Sequence, residues 1–361
     1  MDRAMDRAKV DAVVVRAGLA AVLRGAVPHG ALYVLVLLGV LVLLLGAGAS
    51  YGSEAADQAR KLMAGGDAAG AKALLLKALG ESPRDHASAC VLARVYIREQ
   101  DYESAAKYAE KAVKLADSIP EYHLWFARAS LGKTMKSGMV GAFMAARKGR
   151  SEYEKTIALD PGNAEARFEL CMYYLIAPGM VGGSKDKAKA QAIALDALSP
   201  LYGSYAWAGY WEREQEIVRA ESLYNRAVGL DTSSTATALY GLGYFYERNK
   251  KYDEAGAVFK QIAENRPSDL VALFSLGRVY STAKINLDDA EAAFKRYLKE
   301  GPAANGPDAA AAHWRLGIVY DLKDMPDSAA AELRQAVALA PDIKQYKDAL
   351  KEVEKKRKQP E

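Results

Sequence analysis

From residue 52 onward the chain repeats itself with a period near 34 residues, and this constrains its fold more than any other feature. The segment "ALYGLGYFYERNKKYDEAGAVFKQIAENRP", residues 238–267, shows the unit best. Leu242, Gly243 and Tyr246 share one face of a first helix, Ala255 and Phe259 mark a second, and Pro267 closes it. The connection "RNKKYD" is short and polar, so the two helices must fold back antiparallel. A small residue such as Gly243 or Ala255 lets two backbones approach, while Tyr246 and Phe259 fill the groove between neighbouring helices. One such hairpin does not bury its apolar face alone, whereas stacked copies do.

The register recurs downstream as Leu276, Gly277, Tyr280, Ala290, Phe294 and Pro302, then as Leu316, Gly317, Tyr320, Ala329, Leu333, Ala336 and Pro341. Upstream it reads Trp207, Ala208, Trp211, Ala220, Tyr224 and Ala227, earlier Leu92, Ala93, Tyr96, Ala105 and Ala112, and first Ala71, Leu75, Ala78 and Pro83. This order of large, small, aromatic, small, aromatic, small and proline resembles the tetratricopeptide repeat. The resemblance covers about residues 52–341 and implies an all-α, right-handed solenoid of about eight helix hairpins. It is specific for fold and says little of function, because such arrays serve many assemblies. The segment "DIKQYKDALKEVEKKRKQ", residues 342–359, has the polar character of a capping helix, and "KKRK" at 355–358 a solubilising tail. The predicted array therefore spans 50–341 and the cap and tail 342–361.

A repeat array also explains how 361 residues avoid the size limit of a single compact core. The chain is 51% hydrophobic and 26% charged, which is the makeup of a folded protein. Its 49 Lys and Arg against 45 Asp and Glu leave a net charge of +4 with no basic stripe, so no nucleic-acid partner is expected.

The N-terminus departs from the rest. Residues 31–49, "ALYVLVLLGVLVLLLGAGA", carry no charge and would span about 28 Å as a helix, enough to cross a bilayer. Residues 1–30 hold Arg3, Arg7, Lys9, Arg16 and Arg24 against Asp2, Asp6 and Asp11, which favours a cytoplasmic N-terminus and an extracytoplasmic array. Ala47-Gly48-Ala49 before Ser50 is also a pattern where a signal peptidase could cut, giving a secreted or periplasmic chain. The 19-residue apolar run exceeds the usual signal peptide, so an uncleaved inner-membrane anchor is the favoured reading. The doubled "MDRAMDRA" leaves Met1 and Met5 both open as the start.

Two units are irregular. The third, residues 120–163, runs about ten residues over length, and its Met139, Val140, Phe143 and Met144 form an apolar stripe. At helical spacing such residues are expected to pack against neighbouring helices; the sharper alternative is a hydrophobic partner site. The fourth unit has five extra residues, all in the turn "APGMVGGSKDKA" at 177–188. A phosphate-binding loop would need lysine before the hydroxyl residue and a preceding strand, whereas here Ser184 precedes Lys185 and "EARFELCMYYLIA" is helical. Pro178 stops one helix, Gly179, Gly182 and Gly183 permit positive φ, and Ser184 is placed to cap the next, so a structural turn is expected. An anion held by Gly179, Gly182, Gly183 and Ser184 is the alternative. The long third unit followed by this turn is similar to a bacterial subfamily of tetratricopeptide proteins, a likeness that implies no activity.

No constellation for catalysis emerges. His29, His86, His123 and His313 are scattered, and neither hydrolase nor metalloprotease motifs occur. Cys90 and Cys171 sit in apolar helical patterns, which suits small core residues; a disulfide between them is the alternative in an oxidising compartment, disfavoured because they lie two units apart, and no Cys/His metal spacing occurs. No enzyme activity, metal or cofactor is expected.

Binding has better support. In the tetratricopeptide arrangement the fifth position of each first helix faces the concave side, and here it reads Cys90, Leu124, Phe168, Tyr205, Tyr240, Phe274 and Trp314. With Tyr244, Arg278 and Arg315 further along, the resemblance implies an aromatic groove edged by basic groups, formed chiefly by Tyr205, Tyr240, Tyr244, Phe274, Arg278 and Trp314. Packing of these rings against adjacent helices is the competing reading. The groove lacks the lysine and asparagine pattern that clamps a C-terminal carboxylate, so an extended peptide or a helix fits better. The expected function is a scaffold or adaptor in the cell envelope that binds another protein; the alternative is a solute-binding component of an envelope system.

Overall fold

The structure, a computed structural model, describes residues 54–232, 236–302 and 306–358. The membrane span at 31–49, its cleavage alternative and the cytoplasmic segment 1–30 lie outside the described residues. Among the described residues no helix is long and apolar enough to cross a membrane.

Every regular element among the described residues is helical. Residues 54–64 form α1, followed by α2 (Ala68–Glu81), α3 (His86–Arg98), α4 (Tyr102–Leu115), α5 (Pro120–Lys133) and α6 (Met139–Leu159). Then come α7 (Ala164–Ile176), α8 (Lys185–Leu198), α9 (Pro200–Arg213), α10 (Ile217–Leu230), α11 (Thr237–Arg248) and α12 (Tyr252–Asn265). The last are α13 (Leu270–Ala283), α14 (Leu287–Glu300), α15 (Ala309–Leu322), α16 (Pro326–Leu339) and the single α17 (Lys344–Lys358). The chain divides into two compact units, Met1–Gly149 and Arg150–Glu361, with the boundary inside α6.

The repeating register does the packing work expected of it. A Cβ on Gly243 would stand 2.9 Å from the Phe259 ring, one on Gly277 2.8 Å from Phe294, and one on Gly317 2.7 Å from Leu333. Each close approach joins the two helices of one hairpin. Contacts between hairpins add polar bonds at the edge. The Tyr246 hydroxyl donates to Glu221 at 3.0 Å, Lys251 reaches the same carboxylate at 2.7 Å, and Tyr320 and Lys323 repeat the arrangement on Glu291 at 3.2 and 2.6 Å.

Glu291 is 18% exposed and also accepts from Lys295 at 2.5 Å; the Lys295 and Lys323 bonds hold its pKa down at about 2. Because the folded value lies below the ordinary 4.5, this stabilisation is present above that pH and is lost as pH falls toward 2. Glu291→Gln is therefore expected to lower the melting temperature at neutral pH, with the gap to the parent closing on acidification. Melting curves that stay parallel down to pH 2 would show that the charge contributes nothing.

Six within-hairpin turns end alike. Gly66, Gln100, Gln215, Lys250, Lys284 and Asp324 all adopt positive φ, between 57° and 88°. The next residue's N–H then donates to the carbonyl five residues back, Asp67 to Leu62, Asp101 to Tyr96, Glu216 to Trp211, Lys251 to Tyr246, Ile285 to Tyr280 and Met325 to Tyr320, at 2.9–3.1 Å. This left-handed closure satisfies a carbonyl at the helix end, and five of the six positions adopt it without glycine.

The stripe on the long third unit departs from its expected packing. Leu131 and the Ala127 carbonyl press on Gly149, so close pairing of α5 with α6 is made well inside α6. Residues 139–144 lie beyond that pairing, and Met139, Val140 and Met144 are 90%, 74% and 66% exposed. Only Phe143 is half-buried, and Ala145 is buried.

Candidate functional site

The glycine turn is best read from its hydrogen bonds. Ser184 N–H donates to the Tyr174 carbonyl at 2.9 Å, the same closing bond as in those six turns but with five more residues looped between. Val181 and Gly183 donate to Pro178, Gly182 donates to Gly179, and the Ser184 side chain caps the Lys187 N–H. The amides of Gly182, Gly183 and Ser184 are thus used inside the turn. Gly182 has φ +100°, and the space where its Cβ would stand is filled by the Arg150 guanidinium; a Cβ on Gly183 would strike the Ala177 carbonyl. The first helix bends back over five looped residues because only glycine fits at both points.

The second candidate lies on α11, α13, α15 and α17. Tyr240 and Tyr244, one helical turn apart on α11, stack with ring centroids 6.0 Å apart. The Tyr240 hydroxyl donates to Asp269 at 2.6 Å, and burial followed by this carboxylate raises its pKa well above the usual tyrosine range. Arg278 of α13 forms a two-bond fork with Glu247, one bond at 2.8 Å, and its guanidinium lies 5.7 Å from the Tyr244 ring. A cavity of about 440 Å³ opens there, lined by Tyr244, Glu247, Arg248, Tyr252, Arg278 and Thr282.

On α15 the Trp314 ring stacks on Tyr346 of α17, with centroids 5.5 Å apart and planes at 28°. Arg315 lies over the same indole, its guanidinium carbon 4.5 Å from the ring centre. The Trp314 Nε1–H is enclosed without an acceptor. A second cavity, of about 450 Å³, opens beside Trp314 and Ile318 against Lys344, Gln345 and Asp348.

Charge is distributed unevenly across this face. Glu247 neutralises Arg278, whereas Arg315 has no carboxylate or carbonyl partner among the described residues. Burial, then the neighbouring Arg278, pulls the Arg315 pKa down from its ordinary value, and the Glu247 charge opposes this only in part.

Of the expected groove residues, Phe274 is core, and Tyr205 is half-buried with its ring against Gly241 of α11. Phe274 is 6% exposed and meets Phe294 and Tyr297 edge-on at 5.4 Å, so it is core and offers no surface. Tyr205 packs against Phe168 and Tyr224, its hydroxyl enclosed and without a partner. Tyr240, Tyr244, Arg278 and Trp314 are brought to one face, joined by Glu247 and Tyr346. Tyr346 was not legible as a site residue because its helix reads as a polar cap.

Cys90 and Cys171 are both buried and unbridged, and burial pushes each thiol up to about 12, far from reactivity. Among the described residues no cluster of His, Cys, Asp or Glu is placed to hold a metal ion.

Stacked helix pairs presenting half-buried aromatic rings and arginines define a helical-repeat interaction scaffold. The chain belongs to the tetratricopeptide repeat family, whose model matches residues 56–120, 212–269 and 284–342, just over half its length. Among solved structures it is similar to the human IFIT1 dimer with m7Gppp-AAAA, at 17% identity and TM-score 0.54, over 83% of this chain and 73% of that one. It is also similar to a tetratricopeptide repeat protein from Parabacteroides merdae, at 14% identity and TM-score 0.46, over 84% and 99% of the two chains. At 17% identity the likeness to IFIT1 is one of fold. No curated protein sequence matches the chain.

Proposed function

We propose that this protein is a non-enzymatic adaptor of the cell envelope, anchored in the inner membrane by residues 31–49 with its array on the extracytoplasmic side. Its α11–α17 face docks an extended segment or helix of another protein. The observation that carries this reading is Arg315, a partly buried arginine held on Trp314 with no carboxylate bonded to it among the described residues, the nearby Glu247 being paired with Arg278. Arginine stays charged, so an acidic side chain of the docked partner is the natural complement. Tyr240, Tyr244, Trp314 and Tyr346 supply apolar area around it, the residue types that dominate interface energetics.

Photo-crosslinking from a benzophenone side chain at Tyr244 in native membranes, with Arg60 as control site, tests the reading. One discrete protein adduct from position 244 and none from 60 is expected. The same membranes, washed with alkaline carbonate, should retain the full chain and release a chain lacking residues 31–49. No protein adduct from position 244 would sink the docking reading and leave the small-solute alternative.

A further inference from the structure

The apolar stripe of α6 borders a groove of about 950 Å³ whose lining residues all belong to the first unit. Phe126 of α5 and Phe143, Met144 and Ala145 of α6 form its apolar part, with Lys107 of α4 and Arg147 at its edge. Two adjacent rows, each with members about one helical turn apart, run along α6: Met139, Phe143, Arg147, and Val140, Met144, Lys148. Each row begins apolar and ends in a cation. Each row spans eight residue steps, about 12 Å of rise, so a facing helix would lay about two turns against it.

The charges at the rim choose the occupant. The lining carboxylates are already matched, Glu103 by Lys133 at 2.9 Å and Glu110 by Lys114 at 2.9 Å. Lys107 and Arg147 have no carboxylate partner among the described residues; each lies only against an aromatic ring, Tyr108 and Phe143. We infer that this groove is a second docking site, which receives an amphipathic helix of a partner protein with its apolar face on Phe143 and Met144 and acidic side chains toward Lys107 and Arg147. Methionine suits the task because its flexible thioether adapts to the shape of the incoming side chains.

The test uses the full chain in lipid nanodiscs and a fluorescein-labelled synthetic 14-residue helix with leucines on one face and glutamates flanking them, read by anisotropy. Saturable binding is expected, weakened at least tenfold by Met144→Glu, a change at an exposed position that leaves the helical circular dichroism intact. Arg147→Glu should weaken the glutamate peptide and strengthen an otherwise identical lysine peptide. Arg315→Gln should change neither, which separates this site from the α11–α17 face. Absence of saturable binding, equal affinity for the two peptides, or indifference to Met144→Glu would overturn the inference. So would a benzophenone at Met144 that crosslinks in native membranes to phospholipid or to a second copy of the chain, instead of to an acidic amphipathic segment of another protein.

Discussion

Phe294→Ala is expected to destabilise the second unit by about 3–5 kcal/mol, the range for emptying a fully buried aromatic site. Phe294 is 0% exposed, lies against Gly277 in its own hairpin and packs on Phe274 at 5.4 Å. No neighbouring side chain collapses easily into the space, since the facing residue is a glycine. Phe294→Leu should cost less than about 1.5 kcal/mol, because the next hairpin places Leu333 against Gly317 in the same register. Repeat arrays need not unfold in one step, so the measurement is hydrogen exchange resolved to α13 and α14 beside urea denaturation. A loss under about 1 kcal/mol for the alanine variant would show that the ring does not carry the core.

Arg315→Glu is expected to abolish capture of the partner at the α11–α17 face, with Arg315→Gln weakening it about thirtyfold, equivalent to about 2 kcal/mol at an interface hot spot. The effect on stability should run the other way. The folded environment lowers the Arg315 pKa through burial and Arg278, so the fold disfavours the charged form, and removing the charge should raise the melting temperature. A structural arginine gives the opposite pairing, since breaking its bonds costs stability. Arg315→Gln that lowers the melting temperature, or leaves crosslinking at position 244 untouched, would rule out a docking role. Stability held back at a binding site is a common compromise in proteins.

The hairpins, their register and the five-residue insertion were legible in the sequence because small and aromatic residues recur at fixed spacing, and the structure puts Gly243 on Phe259 and Ser184 at the closing bond. The candidate face was less legible, for a geometric reason. Spacing tells which side of a first helix a residue takes, not whether a neighbouring second helix covers it. Phe274 is covered by Phe294 and Tyr297, while Trp314 meets Tyr346. The stripe on α6 failed differently: its periodicity marks an apolar face correctly, but α6 runs 21 residues against 14 in α5, so its first turns extend past their partner. Helix length, not pattern, leaves those methionines exposed.

The shared closure of the turns makes the array a chain of interchangeable parts. Gln215 and Lys250 leave the chain in the same backbone state, and Glu216 and Lys251 close it with the same bond. Excising residues 216–250 would therefore join Gln215 to Lys251 with the Trp211 carbonyl still answered, removing one repeat and nothing else from the turn geometry. The glycine-rich fourth unit shows the complementary freedom, since it carries five additional residues at this joint while keeping the bond that closes it. Such a chain changes length in whole units and loop size in single residues. Both adjustments fall at the joints, where they leave the packing of helix on helix undisturbed.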